Sequence, residues 1–222
     1  MGDEHMLTHA EVKNYYDRFG QKQDSQGFYE RRALENMIDH SRFDEAKVVF
    51  ELGCGTGKLS EALLENKLPS DATYFGVDVS STMVVLTRER IARFGEQAHC
   101  QAFDGQLPLP AEDERFDRFI ACYVFDLLPK KEIDAMLKEA WRCLKPGGLI
   151  CLVGLTEGST FISRLVSGIW RWIHHINPAL VGGCRPIKIN GLLSQKQWRL
   201  QHHTMTISCG VPSEVLIAER LG

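Results

Sequence analysis

Residues 48–57 read Val-Val-Phe-Glu-Leu-Gly-Cys-Gly-Thr-Gly. An apolar run breaks into three glycines at alternate positions, with an acid, Glu51, two residues ahead of the first. Lacking a Cβ, Gly53, Gly55 and Gly57 let the backbone turn sharply out of a strand and come close to a ligand. Residues 58–66 carry a helical pattern, so the turn aims the free N–H groups of a helix start at whatever binds there. The decapeptide therefore demands a strand, a tight turn and a helix in that order.

The rest of the chain repeats that unit. Apolar runs predict strands at 48–52, 73–77, 98–102, 117–122 and 149–153, with helices between them at 58–66, 81–94 and 130–144. Leu144-Lys145-Pro146-Gly147-Gly148 stops the last helix with a Pro-Gly turn. This rhythm predicts an α/β fold, a doubly wound and mostly parallel sheet with helices on both faces. Ahead of it, Thr8-His9-Ala10-Glu11 reads as a capping box opening a helix through 19. A polar loop at 20–27 and a second helix over 28–40 follow, with Ala33, Leu34, Met37 and Ile38 on one side. The rhythm changes after Gly154. A helix at 161–176 and a loop lead to strands at 198–208 and 214–220, an antiparallel pair closing the sheet. With 222 residues, 44% of them hydrophobic, one domain over 1–222 with a full core is expected.

Composition excludes several partners. A net charge of -3 with no basic stripe argues against general nucleic-acid affinity. The seven cysteines are dispersed and form no Cys-x-x-Cys pair, which suits reduced thiols in a cytoplasm. The acidic start, Met1-Gly2-Asp3-Glu4-His5, has neither the apolar core of a signal peptide nor a myristoylation motif. No apolar stretch is long enough to cross a bilayer.

Two phosphate-binding motifs come close and fail. A P-loop needs a glycine where Leu52 stands and Ser or Thr where Leu59 stands. A dinucleotide fingerprint needs a third glycine where Lys58 stands, which disfavours a nicotinamide oxidoreductase. A nucleoside is supported all the same. Tyr74-Phe75-Gly76-Val77-Asp78 is a strand ending in an acid, about 20 residues beyond the loop, where a carboxylate accepts both ribose hydroxyls and repels a 2′-phosphate. Asp104, after Gln101-Ala102-Phe103, is placed to accept from an adenine amine, and the end of 116–122 lines the same edge.

Glu51-Leu52-Gly53-Cys54-Gly55-Thr56-Gly57, Asp78, Asp104-Gly105, Phe116-Asp117 and Leu144-Lys145-Pro146-Gly147-Gly148 occur together in one order. In these five elements the chain resembles the class I S-adenosylmethionine-dependent methyltransferases of the small-molecule, quinone- or lipid-modifying type, strongly over residues 45–155. The resemblance implies a Rossmann-like fold with S-adenosylmethionine as cofactor. Gly53 and Gly55 would lie against its methionine portion, with Cys54 and Gly57 in the same loop. Glu51 would orient the loop or bind the amino group. Asp78 would hold the ribose, Val79 and Met83 would flank the adenine, and Asp104 with the backbone of Gly105 and Gln106 would read it. The Cys122 carbonyl would face the amino group, and Tyr16 would reach over the cofactor. Residues 1–44 would form a helical lid and 155–197 an inserted substrate cap.

After the fourth strand stands Ala121-Cys122-Tyr123-Val124-Phe125-Asp126. The Pro-Pro motif of amino-directed nucleic-acid methyltransferases and the Pro-Cys pair of cytosine enzymes are both absent, favouring a small-molecule or lipid-like acceptor over nucleic acid. Tyr123 and Asp126 are the polar groups expected nearest that acceptor. No general base is identified, and no metal site is expected, because His174-His175 and His202-His203 point adjacent rings to different faces. A catalytically silent cofactor-binding regulator and a protein or RNA methyltransferase remain as alternatives. The amphipathic 161–176 segment reads either as a helix packed on the domain or as an interfacial helix meeting a membrane or an apolar acceptor. The expected location is cytoplasmic, with or without peripheral membrane contact.

Overall fold

The computed structural model describes residues 6–222. The readings made on residues 1–5, no signal peptide and no lipidation, lie outside the described residues. Seven strands form one sheet in the order β3-β2-β1-β4-β5-β7-β6. The strands are β1 (Val48–Leu52), β2 (Thr73–Asp78), β3 (Ala98–Ala102), β4 (Phe116–Cys122), β5 (Leu144–Leu155), β6 (Trp198–Ser208) and β7 (Val211–Arg220). β1 to β5 pair in parallel, and β7 runs antiparallel between β5 and the edge strand β6. This is the Rossmann-like arrangement expected of the chain, closed by an antiparallel pair.

Parallel strands need both faces covered, which is why β1 and β4 read as continuous apolar runs. On one face Phe50, Phe119 and Leu152 pack with Ile133, Leu137 and Ala140 of α5 (Lys130–Cys143). On the other, Val49 and Ile120 meet Leu63 of α3 (Lys58–Asn66), Val84 of α4 (Ser81–Ile91) and Met37 of α2 (Gly27–His40). From β1 the chain order runs outward to β2 and β3 on one side and from β4 to β5 on the other, so the strand order reverses at β1/β4 and leaves a crevice at the carboxyl ends.

Several boundaries differ from expectation, β7 for one beginning at Val211 rather than at 214. Lys145-Pro146-Gly147-Gly148 lies within β5 rather than between elements. The pairing jumps from Phe116↔Leu144 to Arg118↔Leu149, and Gly147 takes φ 79° to absorb the irregularity. The polar segment 20–27 is a 3₁₀ turn, Gly20–Gln26, leading directly into α2. The helix expected to reach 94 ends at Ile91, and Gly95 breaks the following turn at φ 54°.

Two carboxylates tie the ends of the chain's halves together. Asp17 near the end of α1 (His9–Phe19) accepts from Ser80 Oγ at 2.6 Å and from the Thr82 amide at 3.1 Å, capping the start of α4. Its pKa is drawn down because Lys13, Ser80 and Thr82 together outweigh the opposing effect of burial. Asp117 accepts from the Lys47 and Val48 amides at 2.9 and 2.8 Å and from Lys145 Nζ at 2.9 Å, holding the first residues of β1 against β4 and β5. Asp117→Ala leaves those donors unmet and should cost about 1–3 kcal/mol, read as a lowered urea midpoint with an unchanged slope. An unaltered midpoint would show that the clamp is dispensable.

Candidate functional site

The glycine loop is built on the end of β2. The amides of Gly53 and Cys54 both donate to the Val77 carbonyl, at 2.8 and 3.1 Å, and the Gly55 amide donates to Asp78 Oδ2 at 2.9 Å. Asp78 Oδ1 accepts from the Ser80 amide at 2.9 Å, and Thr87 Oγ1 donates to the Gly55 carbonyl at 2.7 Å. Gly53 sits at φ 74°, and a Cβ there would fall 2.4 Å from Val124 Cγ2, so both conformation and space exclude a side chain.

Glu51 is buried beneath the loop. It accepts from Tyr74 Oη at 2.6 Å and Ser60 Oγ at 3.1 Å. Burial pushes its carboxyl up to about 7, against the pull of those two hydroxyls. Burial likewise raises Asp78 to about 6 despite the Ser80 and Gly55 amides. Both acids border a cavity of about 980 Å³ at the carboxyl edge of the sheet.

That cavity brings together Glu51, Gly53, Cys54, Gly55, Asp78, Val79, Gly105 and Cys122, with Tyr16 and Tyr123 beyond them. Five other expected site residues do not line it. Gly57 faces Thr87. Met83 is buried on the inner face of α4. Asp104 is exposed and accepts from the Gln106 amide at 2.9 Å, closing a local turn that keeps both side chains outside the lining. Asp126, expected near the acceptor, is instead fully buried behind Tyr123. Its Oδ2 accepts from the Leu155 amide at 2.6 Å, and its Oδ1 has no partner among the described residues and lies where a Cβ on Gly154 would be. Tyr123 stands at φ 57° with its hydroxyl 3.0 Å from Ser213 Oγ.

Several lining residues escaped the sequence reading. Gln23 lies across Gly55, its amide nitrogen 3.3 Å from where a Cβ would be, with a buried Oε1 that has no partner among the described residues. Asp24 accepts from Thr56 Oγ1 at 2.6 Å and pairs with Arg90 at 3.1 Å and Lys58 at 3.6 Å, fastening the 3₁₀ turn to the glycine loop. Glu30 faces the cavity beside Tyr29. Burial lifts it to about 7, opposed by the Tyr29 hydroxyl. The helical spacing of Glu30, Leu34 and Ile38 was the available signal. It sets an acid on the same face as two apolar residues that also line the cavity. Nothing local marked Gln23 or Cys184, which reach the site only through folding. His9 on α1 bridges to Glu132 of α5 at 2.8 Å and stands over Gly105, so α1 spans the cavity between α5 and α4.

Residues 49–148 match the family described as a methyltransferase domain. Over 187 residues the chain is 28% identical to the malonyl-[acyl-carrier protein] O-methyltransferase of Marinomonas sp., covering 81% of this chain and 66% of that one. Over 153 residues it is 25% identical to the tRNA N(3)-methylcytidine methyltransferase Mettl2 of Drosophila melanogaster, covering 64% and 46%. The chain thus spans two thirds or less of the length of these curated relatives. The N-methyltransferase NodS from Bradyrhizobium japonicum WM9, solved with S-adenosyl-L-homocysteine, has the same fold at a TM-score of 0.64 and 15% identity, covering 86% and 87%.

The burial of Asp126 has a consequence for pH. Burial pushes its carboxyl up to about 8, outweighing the Leu155 amide, against about 3.9 in an unfolded chain. The folded state therefore keeps a proton that the unfolded state releases. The resulting stability is complete below about pH 4 and is lost as pH rises through about 8. Asp126→Asn cannot titrate, so the wild type should lose stability relative to this variant as pH goes from about 5 to about 8 in chemical denaturation. A gap that does not move with pH would place the Asp126 pKa near that of a free carboxyl.

Proposed function

Because this chain belongs to the class I S-adenosylmethionine-dependent methyltransferases, we propose that it transfers a methyl group from S-adenosylmethionine to a small-molecule or lipid-like acceptor. The observation that carries this reading is one continuous cavity of about 980 Å³, with a glycine cradle at one end and a chamber of tyrosines and aliphatic side chains at the other. Ligand pockets run from about 300 to about 1,000 Å³; this one lies at the upper end of that range, and its apolar wall beyond the cradle is the space we assign to the acceptor.

The residues present fit the cofactor. The Gly53 cradle is a space that any side chain would fill, and the orphaned Gln23 Oε1 beside Gly55 is an acceptor awaiting a donor such as an amino group. Asp78 has lone pairs left for ribose hydroxyls after serving two amides. Val79 and Phe103 offer apolar walls to an adenine. Glu51 is suited to orient the loop from below. When bound, the cofactor supplies a methyl group already activated on a sulfonium. The chain's own task is to hold the acceptor in line with it and to exclude water, and such positioning supplies on the order of 7–11 kcal/mol of a barrier.

The acceptor chamber is bordered by Tyr16, Tyr29, Tyr123, Leu127, Leu128 and Cys184. Glu30 is the acid there that is placed to take a proton where the acceptor must lose one. We read residues 1–44 as a lid, since α1 and the 3₁₀ turn are fastened over the loop by Asp17, Asp24 and His9. We read 155–197 as the cap on the acceptor side, where Trp170 Nε1 donates to the Cys184 carbonyl at 2.9 Å. With this reading goes a cytoplasmic setting, suited to the free, dispersed cysteines, with peripheral membrane contact where the acceptor is lipid-like. The tRNA methyltransferase relative keeps an RNA acceptor as the second reading, though the acidic net charge weighs against it.

Calorimetry with S-adenosylmethionine, its demethylated product and NAD tests the cofactor. Binding is expected for the first two, weakened about 10- to 100-fold by Asp78→Ala, in line with the loss of charge-assisted hydrogen bonds. Tight NAD binding without a response to S-adenosylmethionine would overturn the reading. Transfer of labelled methyl into a cell extract then sorts the acceptor. Label in the lipid or small-molecule fraction is expected, and label confined to RNA would replace that acceptor class.

A further inference from the structure

The helix α6 (Phe161–Ile176) is mounted with its apolar side outward. Its buried residues are Ser163, Ser167 and His174, a small and polar set. Phe161 is 85% exposed and Trp172 64%, and Ile162, Leu165, Ile169 and Ile176 are exposed as well. At about 100° per residue these six fall within an arc of about 100°. On the adjoining arc stand Arg164, Arg171 and His175, all exposed, and the helix holds no acidic residue. Glu157, just before it, pairs with Arg171 and with Lys188, both at 3.1 Å, so the local balance stays basic.

This orientation is not an accident of loose packing. A capping box formed by Thr160 and Ser163 starts the helix, and Ser167 accepts from the Gly158 amide at 3.2 Å. Trp170 is held by the Cys184 carbonyl and edge-on to Tyr29 at 6.2 Å. On the β7 side, Glu214 accepts from the Ile189 and Asn190 amides at 2.7 and 3.1 Å, anchoring the segment that follows. The polar inner face is therefore satisfied from within, and among the described residues nothing covers the apolar face. Exposing that much contiguous apolar surface marks an interaction site.

We propose that the outward face of α6 docks this protein on an anionic lipid bilayer. The occupant is read from the pattern of charge. The surface is a convex stripe rather than a groove, cations flank it on one side, and a tryptophan stands on it toward that side. A helix lying in the interface sinks its apolar arc to the acyl boundary and presents its cations to lipid phosphates. Leu180, 69% exposed in the turn after α6, adds apolar surface to the same segment. At the other side, Val166 and Ile162 pack where a Cβ on Gly210 would be, next to Cys209, which lines the cavity together with the exposed Phe28. Docking through α6 thus brings this rim of the cavity toward the membrane. Entry of an acceptor from the bilayer across that rim rests on the proposed methyl transfer; the docking does not.

Flotation of the full chain with vesicles tests it. Vesicles of phosphatidylcholine mixed with phosphatidylglycerol should carry the protein, and phosphatidylcholine alone should carry at least about tenfold less. Arg164→Glu should weaken the partition by about fivefold or more, as expected for loss of one surface cation. Ile169→Glu with Trp172→Glu should abolish it. All three positions are exposed, so melting temperature and cofactor binding should not change. Trp172→Phe should remove most of the blue shift in tryptophan emission on anionic vesicles. No flotation with either composition would overturn the proposal. So would a dimer in light scattering that Ile169→Glu dissolves, since a second copy would then cover the stripe. Flotation that persists in a preparation that transfers no methyl group would leave the docking standing and sink the proposed function.

Discussion

The hydrogen bonds from the Gly53, Cys54 and Gly55 amides to the last two residues of β2 are the constraint on which the rest depends. Val77 offers its carbonyl and Asp78 its carboxylate. Between them they hold a left-handed backbone that would not keep its shape alone, and they turn it toward the crevice between β1 and β4. The same carboxylate receives the Ser80 amide at the start of α4. One acid thereby sets the relative position of two strand ends and a helix start, with burial as the cost recorded in its raised pKa. Once that edge is rigid, the N-terminal elements have something to close on. Asp17 caps α4, Asp24 grips Thr56, and His9 reaches across to Glu132.

The two ends of the cavity are built by different physics. At the cradle, backbone groups and two buried acids leave little freedom, and a side chain on Gly53 would meet Val124 at 2.4 Å. At the acceptor end the walls are side chains from α1, α2, the turn after β4 and the segment after α6, drawn from four separate parts of the chain. A cofactor common to a family needs the first. An acceptor peculiar to one chain is chosen by the second, which is why family membership defines the donor and leaves the acceptor to be proposed.

Much of this was legible in the residues. The order of β1 to β5, the helices between them and the closing antiparallel pair follow from hydrophobic runs and turn residues, because a parallel strand buried on both faces must be apolar throughout. The cradle was legible because glycines at 53 and 55 after an apolar strand let the backbone leave that strand sharply, and Asp78 stood at the end of the next one. Other features were not. Asp104 and Asp126 both looked like site acids in the chain. One folds into its own Asx turn, and the other is swallowed behind Tyr123 to hold Leu155. Pro146-Gly147-Gly148 read as punctuation, yet the sheet absorbs it as an irregularity within β5. Gln23 carries no motif at all, and its place over Gly55 exists only once the 3₁₀ turn is fastened by Asp24.

The helix from Phe161 to Ile176 draws the line between the two kinds of information. Its sequence determined that one face is apolar and another basic, since 3.6-residue periodicity sorts side chains by angle whatever surrounds them. It did not determine which face turns inward. The tertiary structure decided that, by offering Ser167 the Gly158 amide and His174 the Gly183 carbonyl and leaving Phe161 and Trp172 to the outside. Periodicity is a property of one segment. Orientation is a difference in free energy between two ways of burying it, and that difference depends on neighbours far away in the chain.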